Sequence, residues 1–287
     1  MTPENPAAKN FLANLYKFTP PGLTGLADNP EDINKLGELL ATGNLDIETL
    51  RRFILKYRPF LSGEGVDPQV YEQMLWSKIL GKPIKVPPMP LLRPKTVVAL
   101  CQFNLKVIFL PKITEIDYPD FFVRPRWGQY MTEKDIKRRQ LPGRWVAVET
   151  ISKPHRNAPG GYGVGDADPL ARELWLQTRF GISWDKLTDV ILPKAAKLFG
   201  VSKQAARRPS AEEWNLIGNR FNWLRTEQNE QWPDLGSTNS WEWCENAYEY
   251  GMRLMAGHIG HGGLADVRCY WQSDPGGDIG FRLLVVL

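Results

Sequence analysis

The sequence has 287 residues and a formal net charge of +4, with 43% apolar and 24% charged residues. A chain of this size can bury a core of its own, as one large domain or two modest ones. The charge is mild and no Lys/Arg run is dense, which argues against a nucleic-acid partner or a membrane surface. Three cysteines, Cys101, Cys244 and Cys269, give no disulfide framework, although Cys244 and Cys269 could meet in the fold.

The N-terminus lacks the basic and apolar regions of a signal peptide. No apolar run reaches the ~18 residues that a membrane-spanning helix needs. We therefore expect synthesis in the cytoplasm and no membrane insertion. Export by another route, or assembly into a particle, stays open.

Residues 1–95 are expected to form a small helical region that ends in a Pro-rich linker. Apolar residues at helical spacing predict helices that begin at Pro30 and at Asp46, and a third helix over residues 67–80. Five prolines in residues 83–94 predict an extended linker, because proline prevents ladder pairing. We expect no chemistry of its own in this region.

Residues 96–287 are expected to form one α+β domain, in which ten of the eleven tryptophans lie. Strands are predicted at residues 96–99, 107–110 and 145–151. Helices are predicted to begin at Asp168, near Ser183 and at Ser210. Glu213 stands three residues after Ser210, which is the spacing of a capping box. After Asn239 the chain turns to short strands and glycine-rich loops.

Five segments of the second half carry a resemblance to a known family. Residues 208–218 are similar to the helix-opening segment of formylglycine-generating enzymes and their relatives. Residues 241–246, 253–257, 262–268 and 279–287 resemble later segments of that family in the same order. The match covers about residues 140 to 287 and implies a C-type-lectin-like fold of the formylglycine-generating-enzyme subclass.

Within that fold, the final segments resemble the variable proteins of diversity-generating retroelements, whose last strands and loops are rewritten by adenine-directed mutagenesis. The resemblance places a variable ligand-binding region at about residues 240–282. The implied scaffold residues are Gly251, Arg253, Leu254, Gly257, Gly262, Gly263, Leu264, Ala265, Val267, Trp271, Ile279, Gly280, Phe281 and Arg282. The implied variable, solvent-facing residues are His258, Ile259, His261, Asp266, Arg268, Cys269, Tyr270, Gln272, Ser273, Asp274, Gly277 and Asp278.

The residues themselves are consistent with such a display surface. An alternation with Ala265 and Val267 inward and Asp266 and Arg268 outward is what a half-buried strand requires. Trp241, Trp243 and Phe281 are expected to be buried. The resemblance therefore implies a binder of an unknown protein or surface ligand, without catalytic residues, cofactor or metal. Localisation on a virion or a cell surface stays open.

An enzyme of the formylglycine-generating or sulfoxide-synthase superfamily with altered metal ligands is the alternative. The formylglycine chemistry, as the resemblance implies it, requires a cysteine pair, but only Cys269 lies near that place and Cys244 lies earlier. Sulfoxide synthases use a histidine-containing iron site on an N-terminal helical domain. The three histidines here are His155, His258 and His261, all outside that region. A third interpretation is a structural virion or cell-envelope component.

Three short motifs also have simpler interpretations. His258 and His261 form an H-x-x-H motif that could bind zinc, with Asp266 or Cys269 as the third ligand. The simpler interpretation is two exposed histidines in a binding loop. Asp166 and Asp168 could bind calcium, although a turn followed by a helix cap is more common. The basic stretch at residues 134–139 is expected to be a charged helix face.

Overall fold

The computed structural model describes residues 67–152, 156 and 168–287. The chain divides into two compact units, Met1–Gln102 and Phe103–Leu287. The helices predicted to begin at Pro30 and Asp46 lie outside the described residues, as do Asp166 and His155. None of the described helices is both long and apolar enough to span a membrane.

The described part of the first unit holds two helices, α1 (Pro68–Leu80) and α2 (Pro94–Gln102). The predicted helix over residues 67–80 is confirmed: the Asp67 side chain accepts a bond of 2.7 Å from the Gln69 backbone N–H and caps α1. Residues 83–93, between the helices, contain no regular helix or strand, as the prolines predict. The Gln69 side chain ties this strap to α1 by donating to the Val86 carbonyl at 2.7 Å.

The strand predicted at residues 96–99 is wrong, because this segment lies inside α2. A short apolar run fits a buried strand and a buried helix equally well by periodicity alone. Proline is favoured at the first helical position, and Pro94 occupies that position in α2.

The second unit contains eight strands among the described residues. They are β1 (Leu105–Leu110), β2 (Arg144–Glu149), β3 (Ala206–Arg207), β4 (Trp241–Ala247), β5 (Met252–Ala256), β6 (Val267–Trp271), β7 (Ile279–Gly280) and β8 (Leu284–Val286). The first sheet is antiparallel with the order β1-β2-β8-β3, so the C-terminal strand pairs between β2 and β3. The second sheet has the order β6-β5-β4-β7, in which only β4 and β7 pair in parallel. The strands predicted at residues 107–110 and 145–151 are confirmed as β1 and β2.

Helices and turns connect and cover the two sheets. Among the described residues, the α-helices of the second unit are α3 (Glu133–Arg138), α4 (Pro169–Glu173), α5 (Trp184–Lys186), α6 (Leu192–Phe199) and α7 (Ala211–Glu227), and a π-helical segment, Leu187–Ile191, joins α5 to α6. The predicted helix starts are confirmed, since the side chains of Asp168, Ser183 and Ser210 each accept a backbone N–H as N-caps. Glu213 completes the capping box of α7. The basic stretch at residues 134–139 coincides with α3 and the residue after it.

Buried arginines connect the two sheets. Arg282 donates to both carboxylate oxygens of Glu242 on β4, at 3.2 and 3.0 Å, and to the carbonyl of Glu149 on β2 at 2.8 Å. Arg179 donates to Glu149 at 2.7 Å and to Asp168 at 2.6 Å. All five side chains are fully buried, so each charge has its partner inside the protein. The second unit is thus a mixed α+β domain with two sheets, and its assignment as a C-type-lectin-like fold stays a prediction.

Candidate binding face

The β6 strand presents alternate side chains to one side of the second sheet. Arg268 pairs with Met255, and Met255 pairs with Trp243 on β4, so the three side chains share a side. Tyr270 lies on the same side, with its ring centroid 6.1 Å from that of Trp243. Gln272 follows in the same alternation, and its side-chain oxygen accepts a bond of 3.0 Å from Arg253.

A histidine-bearing loop comes to this same side of the sheet. Trp241 stands two residues before Trp243 on β4, so both rings lie on one side. The ring of His258 lies 5.3 Å from that of Trp241, and the ring of His261 lies 5.7 Å from it and stacks on it. The two imidazole centroids are 5.0 Å apart. We call His258, His261, Arg268, Tyr270 and Gln272 the display face.

The end of the histidine loop is fixed by a glycine that has no room for a side chain. Gly263 has a φ of +61°, a left-handed conformation that favours glycine. A Cβ at this position would lie 2.6 Å from the Gly236 carbonyl oxygen. The backbone N–H of Ile259 also donates to the Thr238 carbonyl at 2.8 Å. The loop therefore rests on the segment that precedes β4.

The exposure of the predicted variable residues varies. Ile259, His261, Arg268, Ser273, Asp274 and Gly277 are exposed. His258, Cys269, Tyr270, Gln272 and Asp278 are half-buried. The prediction that Trp241, Trp243 and Phe281 are buried is confirmed. These burial classes describe the surface, and the binding role of the residues stays a prediction.

The predicted exposure of Asp266 is wrong, because only 4% of this residue is exposed. Its side chain points to the side of the display face, with Oδ1 3.5 Å from Arg268 Nε. Its backbone bridges to Arg126, and its carbonyl accepts a bond from the Gly257 N–H at 3.1 Å, so chain segments lie on either side of it. Burial raises the pKa of the Asp266 carboxyl, against the opposing effect of Arg268, His261 and His258.

Two further residues differ from the expected arrangement. Trp271, assigned to the scaffold, is 49% exposed because it stands at the end of the edge strand β6. Cys269 lies on the opposite side of β6 from Arg268 and Tyr270, where its Sγ is 4.0 Å from Met252 Sδ. The variable residues of β6 therefore reach both sides of an edge strand.

The metal and disulfide alternatives find no support in this geometry. Across residues 67–152 and 168–287, no three His, Cys, Asp or Glu side chains are grouped so that they could hold a metal ion. Cys244 and Cys269 are free thiols, and burial raises the pKa of Cys244 well above its ordinary value. Asp168 caps α4 and pairs with Arg179, in line with the helix-cap interpretation of this residue.

Sequence reasoning missed a stack of two arginines on a tryptophan ring next to the display face. The Trp184 ring lies between two guanidinium groups, those of Arg208 and Arg253, each 3.9 Å from the ring centroid. Arg253 is the strand partner of Tyr270. The three side chains come from segments that are far apart in the sequence, so no local pattern could have indicated the stack.

Comparison with known proteins gives little further information. No family model matches the chain, and no curated protein matches it. One solved structure, described as the crystal structure of CarF, is similar to 64% of this chain and to 99% of its own chain, with 14% identity and a TM-score of 0.37. A similarity this weak assigns neither a fold nor a function.

Proposed function

We propose that this chain is a ligand-binding protein whose display face recognises a protein or a surface ligand. The proposal includes the finer assignment made from the sequence: a variable protein of a diversity-generating retroelement on a C-type-lectin-like scaffold. The observation that supports it is the convergence of two separate segments. His258 and His261 from one loop, and Arg268 and Tyr270 from β6 with Gln272 directly after it, lie on one side of a sheet whose other members are mostly buried.

The chemistry of the display face suits recognition. Arginine and tyrosine are the side chains that most often dominate interface energy, and Arg268 and Tyr270 provide both. The rings of Trp241 and Trp243 lie beneath the histidines and Tyr270, which limits the motion of those side chains. A standard interface needs about 800 Å² from each partner, so residues around the five would also contribute. A location on a virion or a cell surface would suit this function.

A paired library experiment tests the proposal. The first library varies the five display-face positions among polar and aromatic residues and leaves the buried Asp266 unchanged. The control library varies five exposed positions elsewhere: Lys194, Lys197, Lys203, Glu227 and Gln228. Both libraries are displayed and selected against the same panel of purified proteins.

We expect both libraries to fold, because exposed substitutions usually change stability by less than ~0.5 kcal/mol each and the three half-buried positions, His258, Tyr270 and Gln272, are not part of the core. Only the display-face library should yield binders to several unrelated targets. Equal yields from both libraries, or loss of folding in the first, would contradict the binding proposal.

The retroelement assignment has a separate test. The DNA near the gene should contain a near-copy of the segment that encodes residues 240–282, with differences at adenines, and a reverse transcriptase gene. An absence of both would remove the retroelement assignment but not the binding proposal. An enzyme with altered metal ligands would instead bind copper, iron or zinc stoichiometrically and lose it in His258→Ala, which elemental analysis detects.

A further inference from the structure

An arginine outside the display face, Arg126, lies beside the histidine loop. Its backbone forms a parallel bridge with Asp266, and its backbone N–H donates to the Ala265 carbonyl at 2.7 Å. Its guanidinium group lies over the exposed backbone of Gly262, where a Cβ would be 3.5 Å from Nη1. Arg126 is itself exposed. Because Gly262 directly follows His261, Arg126 adds a cation next to the histidine loop.

Arg126 and Arg268 reach solvent on the same side of the sheet. Residues that pair across neighbouring strands point to one side, as do residues two positions apart along a strand. The side chains of Arg126, Asp266 and Arg268 therefore share the side of the display face. Arg268 Nε lies 3.5 Å from Asp266 Oδ1, and the Arg268 side chain is 49% exposed. The Tyr130 hydroxyl is a further neighbour of Arg268.

The histidine loop adds hydrogen-bond donors to these two cations. The backbone N–H of Gly260 donates to His258 Nδ1 at 3.0 Å. A neutral imidazole has one donor and one acceptor nitrogen, so the proton of His258 lies on Nε2. The ring of His261, which is exposed, has its centroid 5.0 Å from that of His258. The loop therefore presents imidazole N–H groups beside the arginines.

The carboxylate at this surface is hidden from solvent. Only 4% of Asp266 is exposed, and its Oδ2 is buried with no hydrogen-bond partner among the described residues. Burial raises the pKa of this carboxyl, which favours its uncharged form. A second acidic residue, Asp278, stands just before β7, and its Oδ2 lies 3.8 Å from Arg156 Nη1, which offsets its charge. An approaching ligand therefore meets the cations of Arg126 and Arg268 rather than a carboxylate.

We propose that this surface binds an acidic segment of a partner protein, with Arg126 and Arg268 as its cations and His258 and His261 as further donors. This inference rests on the proposed function, because it names the chemistry of the ligand that the display face takes. A guanidinium group has five N–H donors in a planar fork that matches a carboxylate. Tyr270, on the same side of β6 as Arg268, supplies an aromatic contact that is common in protein interfaces.

The number of cations favours an acidic protein segment over a nucleic acid. Proteins that bind a nucleic acid commonly make about 6–10 phosphate contacts through lysine and arginine. The described residues supply Arg126 and Arg268 at this surface, and the nearby Arg156 is already paired with Asp278. Two arginines can bond two carboxylates, each through a planar fork. The donors therefore match a short run of Asp or Glu side chains.

Histidine ring signals provide a direct probe, because the chain has only three histidines. We would label the intact protein with ¹⁵N-histidine and follow the rings of His258 and His261 at pH 7 during titration with acetyl-hexaglutamate amide. Acetyl-hexaglutamine amide and acetyl-hexalysine amide at matched ionic strength are the control peptides. Hexaglutamate should shift both signals saturably, and the control peptides should not. No shift, or an equal response to a control peptide, would overturn the proposal.

A pair of arginine variants separates this site from unspecific attraction to a chain of net charge +4. Arg126→Gln should weaken hexaglutamate binding about fivefold, the upper value for an exposed ion pair, and should leave the melting temperature unchanged. Arg172→Gln, at an exposed arginine on α4, is the control and should bind normally. Unspecific attraction would fall equally in both variants, so equal affinities would refute the assignment.

Two further outcomes decide what the surface binds and whether the display face binds at all. A thymidine hexanucleotide that bound more tightly than hexaglutamate would overturn the acidic protein segment in favour of a nucleic acid. If hexaglutamate failed to bind while the display-face library still yielded binders, this inference would fall and the proposed function would stand. The display-face library leaves Arg126 unchanged, so the two tests fail independently.

Discussion

The buried pair between Arg282 and Glu242 provides the sharpest test of what holds the two sheets together. We consider Glu242→Gln, which keeps the shape of the side chain and removes its charge. Arg282 then keeps its bond to the Glu149 carbonyl and loses the carboxylate that neutralises it. The guanidinium is only 1% exposed, so water cannot replace the lost partner.

The expected loss of stability follows from this burial. Removing one partner of a buried ion pair costs about 3–5 kcal/mol, because the remaining charge stays buried without compensation. A domain has about 5–15 kcal/mol of total stability, so the variant should retain a marginal folded state. The double variant Glu242→Met with Arg282→Met should cost less than Glu242→Gln, since it leaves no isolated charge.

Urea denaturation at pH 7, followed by tryptophan fluorescence, measures these differences as free energies of unfolding. The control is Asp234→Asn, which breaks the ion pair between Asp234 and Arg225. The side chains of Arg225 and Asp234 are 34% and 36% exposed. Exposed pairs contribute about 0–1 kcal/mol, so this variant should change little. If Glu242→Gln lost no more stability than Asp234→Asn, the buried pair would not be a principal contact between the sheets.

Two further predictions concern the core and the display face. Phe281→Ala should lower the free energy of unfolding by about 3–5 kcal/mol, the usual range for a buried phenylalanine, and Phe121→Ala, at an exposed ring, should lower it far less. An unchanged denaturant midpoint for Phe281→Ala would contradict its role in the core. Burial raises the pKa of Asp266, so its contribution to stability is present at low pH and is lost as pH rises through the raised value. Asp266→Asn should therefore be more stable than the natural protein at pH 7, and this advantage should disappear below pH ~4. If urea titrations at pH 7 found the variant less stable, the folded protein would favour the charged carboxylate.

The features that the sequence predicted correctly depend on neighbouring residues. Ser210 and Glu213 are three positions apart, so the capping box of α7 could be recognised without any tertiary information. Asp67 caps α1 in the same local way. The direction of side chains along β6 also follows from alternation, which puts Arg268 and Tyr270 on one side of the strand.

The features that the sequence could not predict depend on distant contacts. A strand was predicted where the structure has the helix α2, because the periodicity of a short apolar run does not distinguish a strand from a helix. The burial of Asp266 depends on contact with Arg126, which is 140 positions earlier in the chain. The pairing of Arg282 with Glu242 requires the parallel register of β4 and β7, for which no local signal exists.

The structure separates the residues that hold the fold from those of the display face. Arg282 donates to Glu242 and to the carbonyls of Glu149 on β2 and of Ile151 just after it, and none of these groups belongs to the display face. Substitution of display-face residues would therefore leave the pair between Arg282 and Glu242 intact. Asp266 is the exception among the residues first assigned to variation, because it is buried beside Arg268. Because the Asp266 side chain is buried, few residues can replace it. Asp266 therefore belongs with the scaffold that supports the display face.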